Sequence, residues 1–221
     1  MGLAGCEVSA PGPVAHESQF IARDDSSQVH VTLDIGAGNL RVRSGADKLL
    51  RADFAYNVPS WKPEVRYTST AGDGDLSIRQ PESGQAHFGH AENRWDLTLN
   101  REVPLEVRLH FGAGEARLDL GDLSLRGVDV EMGVGKLDMD LRGNPQRSYE
   151  VRIRGGVGEA TVRLPSAVGI SADIRGGIGE IHASGFHRNG SRYFNDAFAN
   201  AKTTIHLEVQ GGVGEIHLIL S

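Results

Sequence analysis

The chain has 221 residues, 39% of them hydrophobic, which is enough to bury a core in one continuous domain or two small ones. Its formal net charge of -6 comes from 29 acidic and 23 basic residues spread along the whole length, which argues against a polyanion-binding surface and against nucleic acid as a partner. No stretch approaches the roughly 20 apolar residues of a membrane-spanning helix, and 29 glycines in a periodic pattern against 8 prolines point to a repeat architecture rather than to disorder.

The single cysteine rules out an internal disulfide framework. It stands in Leu3-Ala4-Gly5-Cys6, the pattern of a bacterial lipobox, where the cysteine receives lipid and becomes the mature N-terminus. The basic and apolar parts of a signal peptide are missing before it. Residues 1–24 are read as a lipobox remnant and tether, flexible through Ala10-Pro11-Gly12-Pro13-Val14-Ala15, and residues 25–221 as one β domain. With no His or Lys nearby to lower its pKa, Cys6 is a poor nucleophile.

From Gln28 the sequence alternates as a strand with one buried face, Val31, Leu33 and Ile35 on one parity and Leu40 and Val42 on the other. The change of parity falls across Gly36-Ala37-Gly38. The same switch recurs at Gly112-Ala113-Gly114, Gly133-Val134-Gly135, Gly156-Val157-Gly158, Gly177-Ile178-Gly179 and Gly212-Val213-Gly214, with Gly72-Asp73-Gly74 as a looser seventh copy. Without a bend, such a slip would send every later apolar side chain into water. The middle residue is apolar in six of the seven copies, where a hairpin tip would prefer Asn, Asp or Gly, so it is expected to point inward at a corner of a coiling strand.

The second glycines Gly114, Gly135, Gly158 and Gly179 predict an all-β parallel solenoid of roughly 21-23-residue turns with Gly-x-Gly corners. Three longer insertions interrupt it: Phe54 to Pro63, Pro81 to Trp95, and Phe186 to Phe198. They carry most of the aromatic residues, and Trp61, Trp95, Tyr193 and Phe194 are the candidates for a partner-binding surface. The competing expectation is that the insertions cap the stack or shield its strand edges.

A dinucleotide fingerprint needs a third glycine and a following helix, and neither is present. The calcium-binding β-roll needs an aspartate where Ala160 stands. Stacked turns would align Asn39, Asp75, Glu115, Lys136, Glu159, Glu180 and Glu215 in an outward ladder, with one carboxylate per rung, too few for a hard cation. His182 and His217 repeat the phrase Glu-Ile-His beside Glu180 and Glu215, which repetition of a surface phrase explains without a metal. No metal, cofactor or catalytic residue is expected, although outward Asp138, Asp140, Arg152 and Arg154 keep open a polysaccharide-active solenoid enzyme as an alternative, beside a self-assembling scaffold.

The chain resembles the bacterial toast-rack family, related to the extracytoplasmic C-terminal domain of Lia-type cell-envelope stress regulators. The resemblance rests on Val31-Thr32-Leu33-Asp34-Ile35-Gly36-Ala37-Gly38, Ala55-Tyr56-Asn57-Val58-Pro59 with Trp61-Lys62-Pro63, Trp95-Asp96-Leu97, Val103-Pro104-Leu105 and the glycine phrases. It implies an all-β repeat fold outside the cytoplasmic membrane and brings no catalytic residues. The expected function is that of a non-enzymatic, envelope-associated interaction module, anchored to the membrane only through lipidated Cys6, with an envelope protein or a cell-wall or membrane component as partner.

Overall fold

The computed structural model describes residues 12–81, 91–175 and 178–221, so Cys6 and residues 82–90 of the second insertion lie outside the described residues. The described strands in chain order are β1 (Ala15–Ile21), β2 (Gln28–Ser44), β3 (Leu50–Tyr56), β4 (Glu64–Thr70), β5 (Asp73–Arg79), β6 (Asn93–Leu99) and β7 (Leu105–Asp119). They continue as β8 (Leu125–Asp140), β9 (Tyr149–Leu164), β10 (Gly169–Arg175), β11 (Ile178–Ser184), β12 (His187–Asn189), β13 (Arg192–Phe194) and β14 (Thr204–Leu220). Together they form one open 14-stranded sheet, and helical structure among the described residues is limited to two short 3-10 turns.

The centre of the sheet is a parallel array in the order β2-β7-β8-β9-β14. Its register follows the glycines, with Gly38 opposite Gly114, Gly114 opposite Gly135, Gly135 opposite Gly158 and Gly158 opposite Gly214. Strand β7 has 15 residues, about 50 Å if straight. Yet Leu105 at its start lies beside Leu125 at the start of β8, and residues 120–124 reach at most about 20 Å. Each long strand therefore doubles back at its glycines, and its two arms bury opposite parities in one shared core: Val107, Leu109 and Phe111 before the bend of β7, Ala116 and Leu118 after it.

The second glycine makes the bend. Gly38, Gly114, Gly135, Gly158, Gly179 and Gly214 have φ between 127° and 151°, a region that side-chain-bearing residues avoid. The middle residue, however, does not point inward at the corners of β7 and β8: Val134 is 55% exposed and Ala113 is exposed. The corner interior is already filled from the position before the first glycine, by Ile35, Phe111 and Met132, which are buried and mutually in register.

Three further expectations change. Gly72-Asp73-Gly74 is no corner: Ala71 (φ 53°) and Gly72 (φ 87°) turn the β4–β5 hairpin, and Asp75 lies opposite His30 rather than in the outward ladder. Residues Ala15–Ile21 are not tether, because β1 pairs along its whole length with β3 and half-buries Glu17, Gln19 and Ile21. The copies also do not stack in chain order. β14 enters between β9 and the pair β10 and β11, so Gly179 lies beside Gly214 and is two rungs from Gly158.

Both ends of the array are built alike. β5 and β6 lie on the first and second arms of β2, and β10 and β11 lie on the two arms of β14, so each terminal rung is split into two strands. The insertions then add antiparallel caps: β4 on β5, β3 and β1 beyond β6, and β13 and β12 beyond β10. Among the described residues β11 has β14 as its sole strand partner, and its outer edge is open.

Candidate functional site

The structure separates the four aromatic candidates. Trp95 is fully buried (0% exposed), crossing Phe54 edge to face at 5.4 Å, and its indole N–H donates to Asn93 Oδ1 at 2.9 Å. It belongs to β6, whose Asn93, Trp95, Leu97 and Leu99 all point inward, and it cannot be presented to a partner. Tyr193 is buried in β13 against the core beneath Arg188. Trp61, in a 3-10 turn, and Phe194, against Phe198 at 4.9 Å, are half-buried. The insertions are thus largely terminal rungs and caps, because a parallel stack needs its last edges covered.

The charged residues considered for carbohydrate chemistry do not converge. Asp138 and Asp140 lie on the arm of β8 after the bend, where Arg163 pairs with Asp138, and Arg142 Nη2 lies 2.5 Å from Asp140. Arg152 and Arg154 lie on the arm of β9 before the bend, paired with Glu150 at 2.5 Å and Glu131 at 2.6 Å. Arg79, Asp34, His110, Glu131 and Arg154 form a run of paired polar side chains across five successive strands, with His110 between the two carboxylates and an arginine on each outer side. In-register stacking would otherwise set like charges side by side, and such pairing removes that penalty.

What the elements do bring together is the corner at the C-terminal end of the array. The position that holds Phe111 and Met132 in the middle rungs is Gly155 in β9 and Gly211 in β14, in register with them. With those side chains gone, a cavity of about 250 Å³ opens, lined by Met132, Ile153, Ala160, Ile181, Val209 and Ile216. A Cβ on Gly155 would meet nothing within 4 Å. The Gly-Gly-x-Gly spelling of the later copies, against Phe-Gly-Ala-Gly and Met-Gly-Val-Gly earlier, was the sequence signal for this vacancy.

Outside the same corner runs the charged ladder. Asn39, Glu115, Lys136, Glu159, Glu215 and Glu180 are consecutive register partners. Lys136 Nζ lies 3.0 Å from Glu159 Oε2, and this contact, more than the nearby His217, holds the Glu159 carboxyl below its ordinary range. Beyond it the sign alternation stops, and Glu215 and Glu180 turn to histidines on their own strands. Glu215 Oε2 is 3.2 Å from His217 Nε2, and Glu180 Oε2 is 3.2 Å from His182 Nε2. The two imidazoles stack at 4.8 Å with an interplanar angle of 11°.

The family model described as the N-terminal domain of toast_rack, DUF2154, matches residues 10–163. A crystal structure of a proposed cell adhesion protein from Clostridium sporogenes is 34% identical, covering 95% of this chain and 100% of that chain with a TM-score of 0.92. A proposed adhesin from Bacteroides fragilis is 12% identical over 96% of this chain and 100% of that chain, with a TM-score of 0.39. A proposed lipid-binding protein from Parabacteroides distasonis is 11% identical over 95% and 99%, with a TM-score of 0.32. At such scores the last two carry no argument about this chain. No curated protein matches it. No helix among the described residues is long and apolar enough to cross a membrane.

Proposed function

The chain belongs to the family of the toast_rack N-terminal domain, and from that membership we propose that it is a non-enzymatic, extracytoplasmic adhesion module, a β-solenoid held to the membrane by lipid on Cys6. The observation that carries this reading is its 34% identity, over the full length of that chain, to the proposed clostridial cell adhesion protein. The architecture supports it physically. A stack of in-register rungs with paired surface charges is a rigid spacer, and its open β11 edge and corner cavity offer an unpaired strand and an apolar pocket at one end. The partner is an envelope protein or a cell-wall component that meets this end. Its resemblance to Lia-type regulators supports a role for the same contact in the envelope stress response.

The test is retention on purified bacterial envelopes. Affinity-tagged full-length chain is expected to co-sediment with them, and Gly155→Met, which fills the corner with the side chain that Met132 places one rung away, is expected to lower retention at least several-fold. Cys6→Ser is expected to move the cellular protein from the membrane to the soluble fraction. Wild-type protein that neither sediments with envelopes nor fractionates with membrane would overturn the adhesion and lipoprotein readings together.

A further inference from the structure

We propose that His182, Glu215 and His217 form a binding site for a divalent metal ion of the imidazole-preferring class, with zinc as its representative, on the outer face of the C-terminal corner. They are the one group of three or more such ligands among the described residues, and their ligand atoms all lie within 4.8 Å of one another. The backbone sets this spacing. β11 and β14 run parallel with His182 opposite His217 and Glu180 opposite Glu215, each phrase launched from a corner glycine of φ near 150°, Gly179 and Gly214.

Ligands around a tetrahedral zinc lie about 3.4 Å apart, given bonds of about 2.0–2.1 Å. An ion entering between the two imidazoles therefore has to draw the side chains together by somewhat more than about 1 Å. The side chains of His182 and Glu215 are 50% and 59% exposed and that of His217 is 29% exposed, so rotation about side-chain bonds supplies this movement while the strands stay fixed. The ion takes the place of the His–Glu contacts, which are now 3.2 Å on each strand. Two imidazoles and the Glu215 carboxylate supply three of the four positions of a tetrahedral ion, and water fills the fourth.

The donor set selects the class of ion. Calcium and magnesium need about six or more oxygens, whereas imidazole with carboxylate suits zinc, copper and nickel. The neighbouring rung does not compete, since Lys136 already occupies Glu159. Elsewhere the described histidines meet carboxylates without forming such a group, as His30 meets Glu106, His187 meets Asp196 and His110 lies between Asp34 and Glu131.

Calorimetric titration of the tag-free full-length chain with zinc chloride, in a buffer that does not coordinate metal, tests the site. One ion per chain is expected, with affinity lowered at least about tenfold in H182A and in H217A. His187, an exposed histidine of β12, serves as control, and H187A is expected to bind as the wild type does. Far-ultraviolet circular dichroism of the variants checks that they fold. Absence of zinc binding, binding that survives both substitutions, an equal loss in H187A, or displacement of zinc by equimolar calcium would each overturn the proposal. Adhesion makes no prediction about this titration, so the two readings fail separately.

Discussion

At the scale of single residues, glycine has two opposite meanings along the corners. Gly135 has φ 139°, and a Cβ on it would collide with the backbone carbonyl of Gly114 on the next rung. Gly135→Ala is expected to cost at least about 2 kcal/mol in chemical denaturation. Gly155 carries neither constraint, and Gly155→Ala is expected to raise stability by about 0.4–1 kcal/mol by restricting the unfolded chain. Both substitutions remove a glycine from the same phrase of the sequence, and opposite signs would show that position within the corner decides the outcome. A second residue-scale dependence is Asn93, 3% exposed, which accepts the Trp95 indole N–H and donates to the Ala37 carbonyl at 2.7 Å and to Gln80 Oε1 at 3.0 Å. Asn93→Ala leaves the indole N–H unsatisfied in the core and is expected to destabilise by about 1–3 kcal/mol, read by the same denaturation experiment.

At the scale of elements, the bends and the arms are the parts most legible in the sequence, because both are local. Alternation marks an arm, a parity switch marks a bend, and a positive φ demands glycine at the switch. The direction of the middle residue was not legible, since it depends on Phe111 and Met132 already filling the inside of the turn. Trp95 was legible in principle: Asn93, Trp95, Leu97 and Leu99 alternate as a buried strand, but grouping Trp95 with the insertion before it hid that pattern. The order of the rungs could not be read locally, because β9 meets β14 across 204–220 and skips the nearer β10 and β11. This skip makes β14 the partner on which the C-terminal elements depend. Leu207→Ala, at a 2% exposed position of β14, is expected to cost about 2–5 kcal/mol. Amide exchange in β10 and β13 is expected to accelerate with it, while β7 and β8 stay protected.

At the scale of the whole molecule, electrostatics set the limits of stability. Asp140 is held below the ordinary carboxylate range chiefly by its hydrogen bond from Arg142, Glu17 chiefly by Gln19 and then Lys62, and Asp53 chiefly by Ser18. A depressed folded-state pKa means that the unfolded chain takes up protons first as the pH falls. The stability these groups contribute is complete above their unfolded values, near 3.8 for Asp and 4.5 for Glu, and is lost as the pH drops through the lower folded values. Melting temperature is therefore expected to hold level from neutral pH to about pH 5 and to fall below it. Asp140→Asn is expected to narrow its gap from wild type over the same acidic range. A gap that widened toward low pH would contradict the assignment.

The placement of β14 also bears on how the protein is made. A chain emerging N-terminus first can assemble β2, β7, β8 and β9 one rung after another, each new strand closing on the last. The sequence then runs through β10 to β13 before it supplies the strand that β10 and β11 pair with. Until residues 204–220 arrive, β10 has no rung to lie against, and the edge of β9 stands open. The segment from β10 onward thus has to be held loosely and locked in a single late step, which puts the exposed β9 edge, rather than either finished end, as the place where a newly made copy is most open to mispairing with another.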